Sequence, residues 1–128
     1  MSELLDGLFV LLLEDEFLIA MDVEQICRDH GAREVVVART LEEAEQALAG
    51  ARFDAAIVDL MLAGVSTLPF AAILQERAVP FIFASGYSDT QELTRAFPGT
   101  AVIAKPYAGN DLVEALATAC GRGVRISC

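Results

Sequence analysis

The sequence predicts an α/β fold, a doubly wound parallel sheet of five strands with five helices. Short apolar runs without polar alternation recur along the chain, as in strands that helices cover on both faces. Segments with apolar residues at helical spacing follow these runs after short connections, which favours parallel strands with right-handed crossovers. The 128 residues suit a single domain over 1–128, and we expect its core at 8–120 and a tail at 121–128.

The first half of the predicted sheet comes from three apolar runs. A helix over about 17–30 is predicted after the first run from its apolar residues at helical spacing. A second helix is predicted over about 40–50, because Thr40 and Glu43 form a capping box and Gly50 closes the apolar stripe. The three predicted strands are 8–13, 34–38 and 55–62.

The second half of the predicted sheet comes from two further apolar runs, 79–84 and 100–104. Pro69 marks the start of a third helix, which ends before the fourth strand. A fourth helix over about 88–97 has few apolar anchors, and it is the weakest of the five. The fifth strand is followed by a helix that Asn110 or Asp111 caps.

Composition and charge exclude several classes of protein. The formal net charge is -10, so the average surface repels nucleic acid and anionic membranes, and we expect neither as a partner. No apolar run reaches the length of a membrane span, and the N-terminus lacks the basic segment of a secretory signal, which predicts a cytoplasmic location. Cys27, Cys120 and Cys128 have no metal-type spacing.

Polar side chains follow the predicted strands at their carboxyl ends, where ligands bind in parallel sheets. Asp59 stands near the end of an otherwise apolar run, where an acid is rare unless it is paired or bound to metal. We expect it to share one edge of the sheet with the polar residues that follow the other strands. These residues are Glu14, Asp15, Ser85 and Lys105.

This set of side chains suits phosphoryl chemistry on a carboxylate. Converging carboxylates repel one another, and a hard divalent cation relieves the repulsion; Mg²⁺ takes one or two carboxylates and keeps several waters. An aspartate can act as a nucleophile and form an aspartyl phosphate, with catalysis supplied by positioning and by neutralisation of charge. Lys105 offers a positive charge for that purpose, and Ser85 offers a hydroxyl donor.

The ordered set Glu14-Asp15, Asp59, Ser85 and Lys105-Pro106 resembles the receiver domain of bacterial response regulators over about residues 8–120. The resemblance implies a flavodoxin-like strand order 2-1-3-4-5 and Mg²⁺ as cofactor. It implies that Asp59 is the phosphoacceptor. It assigns Asp15 as a direct Mg²⁺ ligand, Glu14 as a partner through water, Met61 as a backbone-carbonyl ligand, Ser85 as the switch hydroxyl and Lys105 as the phosphoryl clamp.

The resemblance also implies partners and an output. The phosphoryl donor is expected to be a sensor histidine kinase or a histidine phosphotransfer protein, and a downstream protein, unidentified from the sequence, is expected to read the phosphorylated form. Such a chain is not an enzyme with an external substrate, although it takes part in transfer to its own aspartate and can dephosphorylate itself. The oligomeric state stays open, including a homodimer.

The segment Phe83-Ala84-Ser85-Gly86-Tyr87, together with Lys105-Pro106-Tyr107, resembles an alphaproteobacterial subgroup marked by Phe-Ala-Thr-Gly-Tyr. That subgroup is associated with stress signalling. Ser85 replaces its threonine, and Val102 stands where many receivers carry a switch aromatic residue. Tyr87 and Tyr107 are therefore the candidates for output.

Several competing functions lack their key residues. A phosphatase with an aspartate nucleophile would need a second acid at position 61, where this chain has Met61. The sequence contains no Gly-x-x-x-x-Gly-Lys loop of an ATPase and no Gly-x-Gly-x-x-Gly loop of a dinucleotide-binding protein. The only histidine, His30, is predicted at the opposite edge of the sheet, which excludes a Ser-His-Asp triad. Two alternatives stay open: a flavodoxin-like module that binds a small molecule or cofactor, and a scaffold receiver that binds partners without phosphorylation.

Overall fold

The computed structural model describes residues 4–85, 95–104 and 109–121. Its strands are β1 (Phe9–Leu13), β2 (Glu34–Ala38), β3 (Ala55–Asp59), β4 (Met61–Leu62), β5 (Val65–Ser66), β6 (Phe81–Ser85) and β7 (Val102–Ala104). Its helices are α1 (Phe17–Asp29), α2 (Leu41–Gly50), α3 (Leu68–Glu76) and α4 (Gly109–Ala119). Outside the described residues lie Tyr87, Lys105, Tyr107 and most of the tail predicted at 121–128.

Five parallel strands form the main sheet in the order β2-β1-β3-β6-β7, which confirms the predicted α/β class. The order differs in its numbering from the predicted 2-1-3-4-5, because a hairpin that the sequence analysis did not predict, formed by β4 and β5, comes between β3 and β6 in the chain. The third strand was predicted over 55–62, but β3 ends at Asp59, and Met61–Leu62 belong to this hairpin. The helix count also differs, with four helices in the described ranges. The helix predicted over 88–97 lies mostly outside them, and of its described residues, 95–97, the first two are helical.

The cap predicted for α2 is confirmed in its Thr40 half, since the Thr40 hydroxyl accepts a hydrogen bond from the Glu43 amide at 3.1 Å. The Glu43 carboxylate accepts the Arg39 amide at 2.8 Å, one residue before the N-cap Thr40, whereas a standard capping box would bond the Thr40 amide. One donor of the first helical turn, where no intrahelical acceptor exists, is satisfied in this way. The start of α2 is therefore set by local sequence.

The core lies on both faces of the sheet, which explains the uninterrupted apolar runs of its strands. In β1, Leu11 and Leu13 pack into one buried cluster, whereas Val10 and Leu12 pack into another on the opposite face.

Among the residues that the structure describes, no helix is both long enough and apolar enough to cross a membrane.

The register of the sheet aligns the residues that the sequence analysis placed at one edge. Leu13, the last residue of β1, pairs with Val58 of β3, so Glu14 and Asp15 follow β1 beside Asp59. Asp59 pairs in turn with Ala84 of β6. Because the strands are parallel, their carboxyl ends bring the three acids to the same edge of the sheet.

Candidate functional site

Three carboxylates meet at the carboxyl edge of the sheet. Glu14, Asp15 and Asp59 each contribute one carboxylate oxygen to a group whose members all lie within 4.8 Å of one another. Glu14 and Asp59 are buried, with 1% and 8% of their surface exposed, and Asp15 is partly exposed. The predicted convergence of the three acids is therefore present in the structure.

The local backbone turns Glu14 inward. Its amide donates to the carbonyl of Ala38 at 3.1 Å and so extends the ladder between β1 and β2 by one residue. Its carboxylate oxygen Oε2 accepts the amide of Glu16 at 3.1 Å, just before α1 begins. This bond fixes one carboxylate oxygen of Glu14 at the start of α1.

Asp15 is held from two directions. Its carboxylate oxygen Oδ2 accepts the amide of Ala63 at 3.1 Å, and its backbone carbonyl accepts the Arg39 guanidinium at 3.4 Å. Ala63 lies at the tip of the hairpin of β4 and β5, so that hairpin covers one side of the acidic group. The sequence analysis identified neither Ala63 nor Arg39 as part of the site.

The hairpin turns through two residues with positive φ, Ala63 at 52° and Gly64 at 81°. Two-residue hairpins favour this conformation at both turn positions, and Asn-Gly is its usual signature. Ala-Gly is a weak form of that signature, since a residue with a Cβ rarely adopts positive φ. Met61 lies on β4, two residues after Asp59, where its backbone carbonyl was expected to act as a ligand.

Thr67 is a second residue that the sequence analysis missed. It is fully buried, and its hydroxyl donates to the backbone carbonyls of Asp59 at 2.6 Å and Leu60 at 2.9 Å. In the sequence, Thr67 stands two residues before Pro69, a pattern that is typical of a helix start and indicates no further role. Its connection to the end of β3 follows only from the folded structure.

The other predicted site residues are only partly described. Ser85, the predicted switch residue, ends β6 and pairs with Ala104 of β7, the residue just before Lys105, the predicted clamp. Lys105, which follows Ala104, lies outside the described residues, as do Tyr87 and Tyr107. Their roles at the site stay predictions.

The donor set fits Mg²⁺. Carboxylate oxygens are the hard ligands that this ion prefers, and two ligands on opposite sides of an ion with bonds of about 2.1 Å are about 4.2 Å apart. The three oxygens lie within 4.8 Å of one another, which is close enough for them to share one ion.

Exposed apolar side chains adjoin the acidic group. Leu18 is 77% exposed at the start of α1, only three residues after Asp15. The hairpin whose tip contacts Asp15 contributes two others, Met61 and Val65, one on each of its strands. We call this set the apolar rim, and it consists of Phe17, Leu18, Met21, Met61 and Val65.

Solved structures with the same fold include two of PhyR. A PhyR mutant from Bartonella quintana, described as an anti-anti-sigma factor, is 26% identical with a TM-score of 0.79, over 93% of this chain and 51% of that chain. PhyR from Brucella abortus, described as a response regulator, is 27% identical with a TM-score of 0.74, over 92% and 49%. This chain thus spans about half the length of the PhyR chains that it matches.

A receiver domain alone gives a match along nearly its whole length. The receiver domain of a Francisella response regulator is 19% identical with a TM-score of 0.77, over 91% of this chain and 98% of that chain, which shows the shared fold. No curated protein matches the chain by sequence. A family model described as the response regulator receiver domain matches residues 10–117. The chain belongs to the response regulator receiver domain family.

Proposed function

We propose that the chain is a phosphoacceptor receiver of a two-component or phosphorelay system, and that Asp59 accepts the phosphoryl group in a Mg²⁺-dependent step. The observation that carries the proposal is the convergence of Glu14, Asp15 and Asp59, with one oxygen from each within 4.8 Å of the others. Membership of the receiver family supports the same assignment.

In the proposed step, a carboxylate oxygen of Asp59 attacks the phosphorus of a phosphohistidine. The new P–O bond forms as the P–N bond breaks, and the imidazole leaves with the electron pair of that bond. Bound Mg²⁺ would neutralise charge on the phosphoryl oxygens, which is the main catalytic requirement of such transfers. Glu14, Asp15, Asp59 and the Met61 carbonyl are the groups that would hold the ion.

The second half of the proposed site rests on the sequence. Lys105 would bind a phosphoryl oxygen as a positive charge, and Ser85 would donate its hydroxyl to another. The pairing of Ser85 in β6 with Ala104 of β7, which directly precedes Lys105, supports this arrangement. The proposal includes no external substrate, because the phosphoryl group is transferred to the chain's own Asp59.

We infer that the phosphoryl donor is a histidine-bearing protein that docks on the apolar rim. The donor phosphorus must come within bonding distance of Asp59, so the donor covers the surface around the acidic group. That surface offers exposed apolar side chains such as Leu18, flanked on α1 by the exposed acids Glu16 and Asp22. A donor with an apolar face and a basic margin would complement it.

The proposed output is a protein–protein interaction, with Tyr87 and Tyr107 as the residues that change, or a role as a phosphate sink. The likeness to PhyR, one structure of which is described as that of a stress response regulator, favours a stress-signalling pathway. The cytoplasmic location remains a prediction from the sequence. A flavodoxin-like cofactor module is disfavoured, because it leaves the three converging carboxylates without a role.

The test is the intact mass of the protein after treatment with acetyl phosphate. With Mg²⁺, the wild type is expected to gain one phosphoryl group, and a chelator is expected to abolish the gain. Asp59→Asn should gain none, whereas the control Asp54→Asn should behave as wild type. Equal phosphorylation of wild type and Asp59→Asn would refute the proposal, and an unmodified wild type would favour the scaffold alternative.

A further inference from the structure

We propose that Thr67 is a positioning residue that orients the Asp59 carboxylate and the Met61 carbonyl for Mg²⁺; this inference rests on the proposed function. Thr67 is 0% exposed and begins α3, eight residues after Asp59. Its hydroxyl oxygen lies 2.6 Å from the carbonyl oxygen of Asp59 and 2.9 Å from that of Leu60.

The Thr67 hydroxyl does not serve the usual purpose of a threonine at a helix start. Such a side chain normally accepts the amide of the second or third helical residue. In α3 the second residue is Pro69, which has no N–H, and Thr67 makes no side-chain capping bond. Ser66 instead accepts the amide of Leu68, at 3.3 Å. The Thr67 hydroxyl is thus directed back to the end of β3.

The two acceptors of the hydroxyl belong to consecutive peptide groups between Asp59 and Met61. A hydroxyl has one proton, so the two contacts share it as a three-centre bond. The Thr67 amide adds a bond to the Leu60 carbonyl at 3.1 Å, and the Leu60 amide donates to Ala84 at 3.0 Å. These bonds hold the backbone from which the Asp59 carboxylate and the Met61 carbonyl project.

The orientation of these two groups matters because Mg²⁺ demands near-ideal octahedral geometry. A rotation of the peptide groups after Asp59 would move both the Met61 carbonyl and the Asp59 side chain. The other end of the same segment is held at the hairpin tip, where Ala63 bonds to Asp15. Thr67 therefore anchors the base of a segment that contributes ligands at several points.

The test compares Thr67→Val, which keeps the shape and removes the hydroxyl, with Thr67→Ser, which keeps the hydroxyl and removes a methyl. The dissociation constant for Mg²⁺ is measured by titration calorimetry well below the melting temperature. Loss of the hydroxyl is expected to raise that constant about tenfold, as is usual when an outer partner of a metal ligand is removed. Thr67→Ser is expected to restore a value within about threefold of wild type.

A wild-type dissociation constant for Mg²⁺ in Thr67→Val would overturn the inference. Equal weakening of Mg²⁺ binding in Thr67→Val and Thr67→Ser would also overturn it, because the effect would then come from packing of the methyl group. Thr67→Ala replaces Thr67→Val if the latter does not fold. Wild type that binds Mg²⁺ but gains no phosphoryl group would refute the proposed function, while the calorimetric comparison would still decide the role of Thr67. Wild type that binds no Mg²⁺ would refute both.

Discussion

The backbone amide of Ala63 donates a hydrogen bond to a carboxylate oxygen of Asp15, and the two residues are 48 positions apart in the sequence. The bond joins the tip of a two-residue hairpin turn to the acidic group. Ala63 makes it from a left-handed conformation, with φ of 52°, which costs a residue with a Cβ more than it costs glycine. The approach of the hairpin to Asp15 is thus obtained at some cost in backbone strain.

The strain at Ala63 predicts effects of different size for two substitutions. Ala63→Val should lower the free energy of unfolding by about 1–2 kcal/mol, because a β-branched residue is strongly disfavoured at positive φ. Ala63→Gly should change it by less than about 1 kcal/mol, because relief of strain and the greater freedom of the unfolded chain offset each other. Urea denaturation without Mg²⁺ measures both. Equal effects of the two substitutions would contradict a strained turn.

The acidic group predicts stabilisation by Mg²⁺ that depends on Asp15. At a Mg²⁺ concentration one hundred times the dissociation constant, the wild type should gain about 2.7 kcal/mol of stability. Asp15→Asn should lose most of the corresponding rise in melting temperature, because it removes a charged ligand. Asp22→Asn, which removes an exposed acid from α1, is the matched control and should keep the rise. Equal stabilisation of the two variants would refute the metal assignment of Asp15.

If the donor protein docks on the apolar rim, a substitution in the rim should slow phosphoryl transfer from that protein without slowing phosphorylation by a small donor. The donor used is the histidine kinase that phosphorylates the wild type fastest. Transfer from this kinase to Leu18→Glu should be about tenfold slower than to the wild type, because the substitution places a charge in a contact worth about 1–2 kcal/mol. Phosphorylation by acetyl phosphate should stay at the wild-type rate. Ala49→Glu, on the exposed side of α2, is the control. If Leu18→Glu left kinase transfer unchanged, the donor would dock elsewhere.

The thiol of Cys27 predicts a specific loss of stability at alkaline pH. Burial raises its pKa from 9.0 to about 12, with a further rise from Glu24 and an opposing effect of Arg28. Between these two values the unfolded chain loses the proton and the folded chain keeps it, so stability falls as pH rises above 9.0, by at most about 1.4 kcal/mol per pH unit. Cys27→Ala, followed by urea denaturation across this range, should show a shallower decline. An identical slope would contradict the prediction.

The sequence was sufficient to predict a parallel sheet and the acids that lie beyond its strands, whereas the order of the strands was implied by the resemblance to receiver domains. The sequence shows Glu14-Asp15 and Asp59 each at the end of an apolar run. Because parallel strands align their carboxyl ends, this position alone predicts that the three acids lie at one edge of the sheet. The cap of α2 by Thr40 was likewise predictable, since its bond to the Glu43 amide spans only a few residues.

Contacts that depend on tertiary structure were not predictable from the sequence. The hairpin after Asp59 was missed because Ala63-Gly64 lacks the usual asparagine and because its strands have two residues each. Thr67 was missed because a threonine near a proline indicates a helix start, whereas here its hydroxyl bonds to β3. The parts of the site at Ser85 and Lys105 stay predictions from the sequence.

The most direct test of the central claim is the position of the phosphoryl group. After treatment with acetyl phosphate and Mg²⁺, borohydride reduction converts a phosphoaspartate into homoserine, which peptide mass spectrometry locates. The account predicts homoserine at position 59 in the wild type and at no position in Asp59→Asn. Homoserine at Asp15, at Asp54 or at any other aspartate, with Asp59 intact, would contradict it.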